Sequence, residues 1–425
     1  MSDSKTRVVL LADLCNPDWP SLPIVGYKYA LALASVTDAV VVTQIRNKPA
    51  IDRCGLGSAE VIYLDTEMVA SPLHKLSLLV RGGDKTGWTM GMAMNYPAYL
   101  AFEAMAWARL RKDLSRGCFD VVHRITPMSP TLPSLIPRLS KVPFVLGPLN
   151  GALPWPEMFR AEQAREREWL GSLRGAYKVL PFSRGTFQHS RAILAAFDHT
   201  IADLPSGAAE RAINFPEVGF DPDLFAAAPR PNRARKTVLF VGRLVPYKLP
   251  EVVVRAFAAA KGLREHRLVV VGDGPEEARL RALVDKHGLA GCVELVGKKT
   301  QAEVGVLMRE AEIFAFPSIR ELGAGVVVEA MACGMACVVV DYGGPATLVG
   351  PDRGIKIGLA DRDTLVREYA AALDELVTDS DRIIALGRSA RQHALDHYTW
   401  QAKAQKTLAV YDWVLGRRRE KPGFW

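Results

Sequence analysis

Long hydrophobic runs are missing from this sequence, and so are paired cysteines. No stretch approaches the roughly 20 apolar residues that a bilayer-spanning helix needs. The start MSDSKTR leads only into the short apolar run VVLLA, which is unlike a secretory signal. The six cysteines form no CxxC pair and no zinc-like spacing with histidine, so we expect neither a disulfide framework nor a bound metal. These absences predict a cytoplasmic protein in a reducing compartment.

Blocks of like charge are also missing. The net charge is +8 over 425 residues, and the basic excess is shared equally by the two halves of the chain, with no basic tail. An even, mildly basic surface without a recognition motif disfavours nucleic-acid binding. An anionic substrate or an anionic lipid surface is the alternative explanation for the excess charge. The length is enough for two hydrophobic cores.

Short runs rich in Val, Ile and Leu alternate with helical patterns along the chain, which is typical of parallel sheets buried on both faces. The strand-like runs of the first series are RVVLLAD, DAVVVTQ, EVIYLD, FDVVHRI, VPFVLGP and HTIAD, and its helical patterns include YKYALALASV and ILAAF. After the polar stretch AAAPRPNRARK, the strand-like runs of the second series are KTVLFVG, HRLVVVGDG, CVELVG, EIFAFPS and MACVVVDYGG, with helices between them.

Two such series predict an α/β protein with two doubly wound, Rossmann-like domains. We expect residues 1–205 to form the first domain and residues 206–399 to form the second. The C-terminal helix, within 400–425, is expected to cross back to the first domain, with docking on its own domain as the alternative. The carboxyl ends of the strands are expected to face each other across a cleft, which is the expected place for a ligand.

The segment FVGRLVPYK carries two cations directly after a buried strand. Arg243 follows Gly242, Lys248 comes a few residues later, and a helix is predicted to begin at Pro250. A guanidinium can bind two phosphate oxygens at once, an ammonium binds one, and a helix start adds free N–H groups and partial positive charge. The segment therefore predicts a diphosphate site, with a basic surface loop as the alternative.

The segment SIRELGAGVVVEAMACG places two carboxylates on either side of a predicted helix start. Its glycines permit a tight loop, the helix is expected to begin near Val326, and Gly334 is expected to end it. Glu321 would then lie in the loop and Glu329 in the early turns of the helix. A carboxylate near a helix start can accept hydrogen bonds from a ribose or sugar diol. A solvated pair of glutamates is the alternative.

Weaker candidates come from the first series and from the glycine-containing turn VVVGDGP of the second series. His123, in DVVHRITP, lies at a strand end, where a histidine can bind a sugar or phosphate or act as a weak base; a structural histidine is the alternative. Gly26 and Lys28 open the predicted helix YKYALALA, and a lysine at a helix start indicates a bound anion. The turn VVVGDGP, with Gly272, lacks the third glycine of a dinucleotide fingerprint. It therefore predicts a close approach to a nucleoside, or a plain turn.

Together, GRLVPYK, VVVGDGP, CVELVGK and PSIRELGAGVVVEAMACG resemble the second half of retaining glycosyltransferases of family 4, which have the GT-B fold. The resemblance is strong over residues 215–400 and looser over the first series. It implies transfer of a hexose-type sugar from a nucleotide diphosphate sugar to an acceptor hydroxyl, with retention of configuration and without a metal or other cofactor. UDP or GDP is the expected nucleotide.

The resemblance also implies a role for each candidate residue. Arg243 and Lys248 would bind the donor diphosphate, Glu329 would hold the ribose, and Glu321 would lie near the reacting face of the sugar. His123 would contact the donor sugar from the first domain, which completes the expected catalytic set. The other expected donor contacts are Gly26, Lys28, Gly272, Gly297, Gly323, Ala324, Gly325, Val326 and Val327.

Two other functions are compatible with this fold. A nucleotide-sugar 2-epimerase binds similar ligands but lacks the pairing of these cations with two glutamates, and a non-catalytic nucleotide-sugar binding protein would not need all four. The acceptor is expected to be a glycan, a lipid-linked sugar or a small molecule. Residues 72–112 and 154–178 interleave aromatic and basic side chains, so peripheral contact with the inner face of the membrane is an alternative to ordinary packing. The sequence does not predict the oligomeric state.

Overall fold

The computed structural model describes residues 5–68, 88–166, 177–178, 180–228 and 233–424. The chain divides into two compact units. The first unit consists of Met1–Ala152, Arg167–Gly219 and Trp400–Trp425, and the second consists of Leu153–Glu166 and Phe220–Thr399.

A parallel sheet forms the centre of the first unit. Its strands are β1 (Arg7–Ala12), β2 (Asp38–Gln44), β3 (Glu60–Leu64), β4 (Val121–Thr126), β5 (Phe144–Leu149), β6 (Ala192–Ala195) and β7 (Ala212–Asn214). They lie in the order β3-β2-β1-β4-β5-β6-β7, which reverses direction beside β1, as in doubly wound folds. Along β1, Val8 and Leu10 belong to one hydrophobic cluster and Val9 and Leu11 to another. Both faces of this sheet are therefore buried.

The helices of the first unit follow its strands. They are α1 (Leu22–Val36), α2 (Lys48–Cys54), α3 (Trp88–Ser115), α4 (Ile136–Leu139), α6 (Ser183–His189), α7 (Asp198–Ala202) and α15 (Trp400–Val414), while α5 (Arg160–Arg165) belongs to the second unit. The C-terminal helix α15 packs against α1, where the hydroxyls of Tyr29 and Thr407 lie 2.7 Å apart. The expectation that this helix crosses back to the first unit is confirmed.

One pair of sequence assignments is wrong. The run ILAAF was expected to be helical and HTIAD to be a strand, but β6 covers Ala192–Ala195 and α7 covers Asp198–Ala202. Apolar runs this short carry no periodicity that separates the two states, so the neighbouring strand decides. Ile193 and Leu194 pair in register with β7, and Val145 pairs with Ala192.

The second unit repeats the same architecture. Its strands are β8 (Thr237–Val241), β9 (Arg267–Val271), β10 (Val293–Gly297), β11 (Ile313–Phe316), β12 (Ala336–Val340) and β13 (Gly354–Ile357), in the order β10-β9-β8-β11-β12-β13. Its further helices are α8 (Pro250–Ala259), α9 (Glu277–Lys286), α10 (Gln301–Glu310), α11 (Gly325–Ala332), α12 (Gly343–Leu348), α13 (Arg362–Thr378) and α14 (Ser380–Tyr398). The predicted α/β class, with two doubly wound parallel sheets, is confirmed. The cleft between the units stays a prediction.

The two units are divided differently from the 1–205 and 206–399 expected from the sequence. The first unit continues to Gly219 because β7 pairs with β6 and completes the same sheet. Residues 153–166 belong to the second unit although the chain around them belongs to the first. The composition shift at 226–236 falls inside the second unit, just before β8.

Candidate active site

Lys248 and Glu321 meet at the carboxyl ends of β8 and β11. Lys248 ends a short 3-10 turn, is buried, and lies across Gly242, where an added Cβ would be 3.1 Å from its Cδ. Its Nζ forms an ion pair with Oε1 of Glu321 and lies 4.8 Å from the ring centre of Phe316. The structure therefore brings together one predicted cation and one predicted carboxylate, separated by more than seventy residues of chain.

Glu321 is fixed by further contacts around this ion pair. The hydroxyl of Ser318 donates to its Oε1 at 3.4 Å, and its backbone carbonyl accepts from the amide of Gly344 at 2.9 Å. An added Cβ on Gly344 would lie 1.9 Å from the carbonyl oxygen of Leu322, so this loop cannot approach so closely with any other residue. The carboxylate is thus held in place by backbone packing as well as by charge.

Arg243 lies at the end of β8 with an exposed side chain. Its Nη2 donates to the hydroxyl of Tyr247 at 2.8 Å. Burial raises the pKa of Tyr247, and the Glu321 carboxylate raises it further while Arg243 opposes the shift, so the phenol stays protonated. Tyr247, which lies within the same motif between the two cations, links Arg243 to the Glu321 loop because its backbone oxygen accepts from Ile319 at 3.0 Å.

Two helices begin beside these residues from backbone in the left-handed region. Leu249, with φ 45°, precedes α8, and Ala324, with φ 42°, precedes α11. An L-residue pays about 1–2 kcal/mol for that conformation, which marks both positions as strained. The predicted helix start near Val326 and the predicted end at Gly334, which has φ 73°, are confirmed. Glu329 lies half-buried in the second turn of α11.

The loop before α11 only partly matches the expected set of donor amides. Val327 donates its amide to the carbonyl of Ala324 at 2.9 Å, within the first turn of the helix, and its side chain is fully buried. The amide of Val327 is therefore occupied, contrary to its expected contact with the donor. Donor contacts from Gly323, Ala324, Gly325 and Val326 stay predictions.

Gly272 and Gly297 have roles in joining strand ends. The amide of Gly272 donates to the carbonyl of Gly297 at 2.9 Å, and an added Cβ on Gly272 would lie 1.9 Å from the carbonyl oxygen of Gly242. Gly272 also has φ +139°, which favours glycine. The close approach to Gly242 accounts for Gly272, and the φ of 71° at Gly297 favours glycine there. The contact of both residues with a nucleoside stays a prediction.

His123 does not have the surroundings expected of a donor-binding residue. It is fully buried in β4, its Nδ1 lies 2.7 Å from the hydroxyl of Tyr411, and its Nε2 lies 2.7 Å from the carbonyl oxygen of Gly147. Burial lowers its pKa to about 3, and the nearby charge of Lys403 acts in the same direction. Both ring nitrogens are thus engaged by the protein, and the structural alternative for His123 replaces the catalytic one.

Lys28 is not at a helix start either. Helix α1 begins at Leu22, so Lys28 lies half-buried in the second turn, and the electrostatic argument for an anion there is lost. Gly26 is explained by packing, because an added Cβ would lie 2.1 Å from the carbonyl oxygen of Leu14. The sequence pattern places the helix start too late because Pro23, which lies in the first turn of α1, is as typical of a loop as of a helix start.

A cluster of aromatic and cationic side chains beside Arg243 was not predicted from the sequence. Trp155 packs edge-to-face against Tyr247, with ring centres 6.3 Å apart, and the guanidinium of Arg320 lies 5.0 Å from the Trp155 ring centre. Arg320 and Tyr247 each stand next to a residue already selected. The approach of Trp155, from a distant part of the sequence, has no local signal.

Two predictions concern contact with a membrane and the absence of a metal. Much of the two aromatic and basic segments, 72–87 of the first and 167–176 of the second, lies outside the described residues. Within the described ranges, no helix combines the length and apolar character needed to cross a bilayer. In the same part of the chain, no three His, Cys, Asp or Glu side chains are grouped as metal ligands would be, and metal independence stays a prediction.

Comparison with known proteins finds a family match within the second unit. The sequence profile of the glycosyl transferases group 1 family matches residues 223–393, within the second unit. The resemblance seen in the motifs is therefore confirmed for this stretch, which is less than half of the chain.

Curated relatives of the chain are named as glycosyltransferases. A D-inositol 3-phosphate glycosyltransferase from Stackebrandtia nassauensis is 32% identical over 222 residues, which are 48% of this chain and 49% of the relative. A 2-deoxystreptamine glucosyltransferase from Streptomyces kanamyceticus is 29% identical over 232 residues, 52% of this chain and 59% of the relative. The chain thus spans about half the length of the curated relatives that it matches.

Solved structures extend the similarity in fold to the whole chain. A glycosyltransferase from Rickettsia africae superposes with a TM-score of 0.63 at 13% identity, covering 97% of this chain and all of that one. The Anabaena protein HepE in complex with UDP gives a TM-score of 0.61 at 15% identity, covering 95% of this chain and 99% of that one. The GT-B fold class expected from the motifs is confirmed.

Proposed function

We propose that this protein is a glycosyltransferase that moves a hexose from a nucleoside diphosphate sugar to an acceptor hydroxyl. The observation that carries the proposal is the mostly buried ion pair of Lys248 and Glu321 at the edge of the second sheet, next to the starts of α8 and α11. Carboxyl ends of parallel strands with helix starts beside them are a common place for phosphate-bearing ligands. An epimerase or a binding protein would not require this pair together with Arg243.

In the proposed reaction, the cations stabilise the leaving diphosphate. Arg243, which is exposed and oriented by Tyr247, can take two phosphate oxygens, and Lys248 supplies a second charge from a buried position. Helix starts at α8 and α11 add partial positive charge. Fixed charges of this kind act where negative charge develops in the transition state, so they support a departure that needs no metal.

Glu321 serves the sugar in this proposal. Because Lys248 and Ser318 already bind its Oε1, the carboxylate is oriented and partly neutralised, which favours an electrostatic or hydrogen-bonding role over covalent attack. That role supports retention through front-face attack assisted by the leaving phosphate. Determination of the product anomer by NMR tests it, and an inverted linkage would rule it out.

The nucleotide is to be identified by thermal shift with UDP-, GDP-, ADP- and TDP-sugars. A donor present at 100 times its Kd stabilises the folded protein by about 2.7 kcal/mol, so the right nucleotide stands out. We expect UDP or GDP to give the shift. If none of the nucleotides raises the melting temperature of the wild type, the proposed function fails.

Glu329→Ala is expected to weaken this binding about tenfold because a carboxylate that holds two ribose hydroxyls loses charge-assisted hydrogen bonds. The measurement is calorimetric titration with the nucleoside diphosphate and, separately, with the inorganic diphosphate. The variant should lose affinity for the first ligand and keep it for the second, which lacks the ribose. Equal losses for both would contradict the ribose assignment.

The acceptor is to be sought among small polyols as well as glycans and lipid-linked sugars. The names of the two relatives mention inositol 3-phosphate and 2-deoxystreptamine, so both compounds belong in the acceptor panel. The family match covers only residues within the second unit, and the first unit is free to differ from those relatives in what it accepts.

A surface of the first unit also supports peripheral contact with an anionic membrane, for a protein proposed to act in the cytoplasm. Leu139, Leu180 and Phe182 are 51%, 38% and 48% exposed. Helices α4 and α6 are neighbours here, since an added Cβ on Gly185 would lie 3.7 Å from Cδ of Arg138. Residues 130–152 and 180–197, which belong to the first unit, contain no acidic residue. Exposed apolar side chains on a basic surface are what an anionic bilayer binds.

Phe182→Glu is therefore expected to lower the fraction of protein that floats with phosphatidylglycerol vesicles at least about threefold, because it removes apolar contact and adds like charge. Vesicles of phosphatidylcholine should float little of either protein. Ile384→Glu, at an exposed apolar position of the second unit, is the matched control and should float like the wild type. Absence of wild-type flotation with both vesicle types would remove this partner.

A further inference from the structure

Residues Leu153–Glu166, here called the crossing segment, are a part of the second unit. At its start, Leu153 is buried against Gly343, where an added Cβ would lie 2.8 Å from the leucine Cδ2. The hydroxyl of Tyr342 donates to the carbonyl oxygen of Pro154 at 2.8 Å. These contacts attach the segment to the glycine loop whose next residue, Gly344, bonds the backbone of Glu321.

Buried charges hold the other end of the crossing segment. Glu162, which is buried, pairs with Arg362, and Arg165 pairs with the buried Glu276. Nε of Arg362 also lies 3.0 Å from Oε1 of Glu251, in the first turn of α8. Removal of one partner from such a network leaves a buried charge uncompensated, so the segment is firmly fixed to the second unit.

Between these two attachments, Trp155 contacts residues of both motifs of the site, GRLVPYK and PSIRELGAGVVVEAMACG. The guanidinium of Arg320, the residue before Glu321, stacks on one face of the indole at 5.0 Å. The ring of Tyr247, the residue before Lys248, meets it edge-to-face at an interplanar angle of 88°. Trp155 thus bridges the two loops that present the predicted diphosphate and sugar ligands.

We propose that Trp155 is a positioning residue for the nucleoside diphosphate, acting through Tyr247 on Arg243. The inference rests on the proposed function, since it assigns a role to a residue outside both motifs in the same site. Backbone bonds fix the main chain of Tyr247 through Ile319, but they leave the phenol ring free to rotate about its side-chain bonds.

The Trp155 edge contact restricts that ring, and the ring in turn presents the hydroxyl that accepts from Nη2 of Arg243. Arg243 is exposed and has a long side chain with many conformations. Ordering this side chain when the ligand binds costs conformational entropy unless a partner already holds it in place. Pre-orientation of this kind raises affinity for the diphosphate without adding a new contact to it.

The test is a double-mutant cycle on nucleoside diphosphate binding, with the wild-type protein and the variants Trp155→Ala, Trp155→Phe, Tyr247→Phe and Trp155→Ala/Tyr247→Phe. Calorimetric titration with UDP and GDP gives the Kd of each. Trp155→Ala and Tyr247→Phe are each expected to weaken binding about tenfold, and the double variant no more than either single one, because both act through one hydroxyl. Trp155→Phe should restore most of the affinity.

Steady-state kinetics separates positioning from general disruption. Trp155→Ala should raise the donor KM about tenfold and lower kcat less than threefold. Trp19→Ala, at an exposed tryptophan of the first unit, is the matched control and should change neither value. Thermal melts of all variants show whether each one folds.

The outcomes are distinct. A wild type that binds no nucleoside diphosphate overturns the proposed function itself. A wild type that binds, with Trp155→Ala binding equally well, overturns this inference alone. Additive losses in the double variant, or a Trp155→Phe variant as weak as Trp155→Ala, would show that Trp155 does not act through Tyr247, which also overturns it.

Discussion

A double variant, Lys248→Met with Glu321→Gln, is expected to fold about as stably as the wild type and to transfer sugar about a thousandfold more slowly. Loss of one fixed charge or donor at a developing anion costs about a hundred- to a thousandfold in kcat, and this variant loses a cation and a carboxylate together. Stability is expected to survive because neutral side chains of similar shape replace a mostly buried ion pair without leaving a charge unpaired.

The single variants should behave differently. Lys248→Met leaves Glu321 beside an apolar side chain, and Glu321→Gln leaves the ammonium without its counter-ion, so each is expected to lose about 3 kcal/mol of unfolding free energy. Urea unfolding gives the stabilities, and transfer from the donor identified by thermal shift gives the rates. An active double variant would show that the pair is structural.

A matched control exists in the same unit. Arg281 and Glu277 form an exposed ion pair on α9, with Nη2 and Oε1 2.8 Å apart. Arg281→Met with Glu277→Gln removes the same kinds of charge away from the sheet edge. This control is expected to change stability by less than about 1 kcal/mol and leave transfer unchanged.

Much of the second unit could be predicted from the sequence because its strands and helices carry strong local signals. Each of the five strands predicted there is present. The glycines and the predicted helix start correctly placed Glu321 in a loop and Glu329 in the helix that follows it. The loop at Ala324 is the expected tight turn before that helix. Strand β13 was missed, since GIKI is too short to show a pattern.

Features that depend on contacts between distant residues were not predictable in the same way. The burial of His123 depends on Tyr411 from the C-terminal helix, and no local pattern distinguishes a strand-end histidine that faces a ligand from one covered by another helix. Trp155 likewise meets Tyr247 only because the crossing segment packs on the second unit. Contacts of this kind depend on tertiary packing, which periodicity and spacing do not encode.

The buried His123 has a consequence for acid stability. Its pKa is lowered to about 3 in the folded protein by burial, whereas the pKa of an unfolded histidine is about 6.5. Between these two values the unfolded chain binds more protons than the folded one, so the free energy of unfolding falls as the pH falls. The contribution is fully present above about pH 6.5, and about 3 kcal/mol of it is lost by pH 4.

Burial and the charge of Lys403 lower this pKa, and together they outweigh the hydrogen bond to the Gly147 carbonyl, which raises it. The ring nitrogens lie 2.7 Å from the hydroxyl of Tyr411 and from the carbonyl oxygen of Gly147, Tyr29 meets the ring edge-on, and the buried Lys403 lies close enough to disfavour a second positive charge. The pKa of Lys403 is itself lowered to about 7 by burial, so its own titration affects stability above that pH, outside the acid range.

His123→Gln is therefore expected to flatten the loss of stability between pH 6.5 and 4, because an amide keeps hydrogen-bonding capacity at this site and cannot take up a proton. The measurement is urea unfolding at each pH, read by a short deuterium pulse at fixed pH on peptides covering β4 and β5, so that the first unit is followed by itself. His189→Gln, at an exposed histidine whose Nδ1 lies 2.9 Å from the carbonyl oxygen of Gly185 in the same helix, is the control and should keep the wild-type slope. A His123→Gln variant with that same slope would mean that the buried ring is protonated in the folded protein, which burial and the nearby charge of Lys403 oppose.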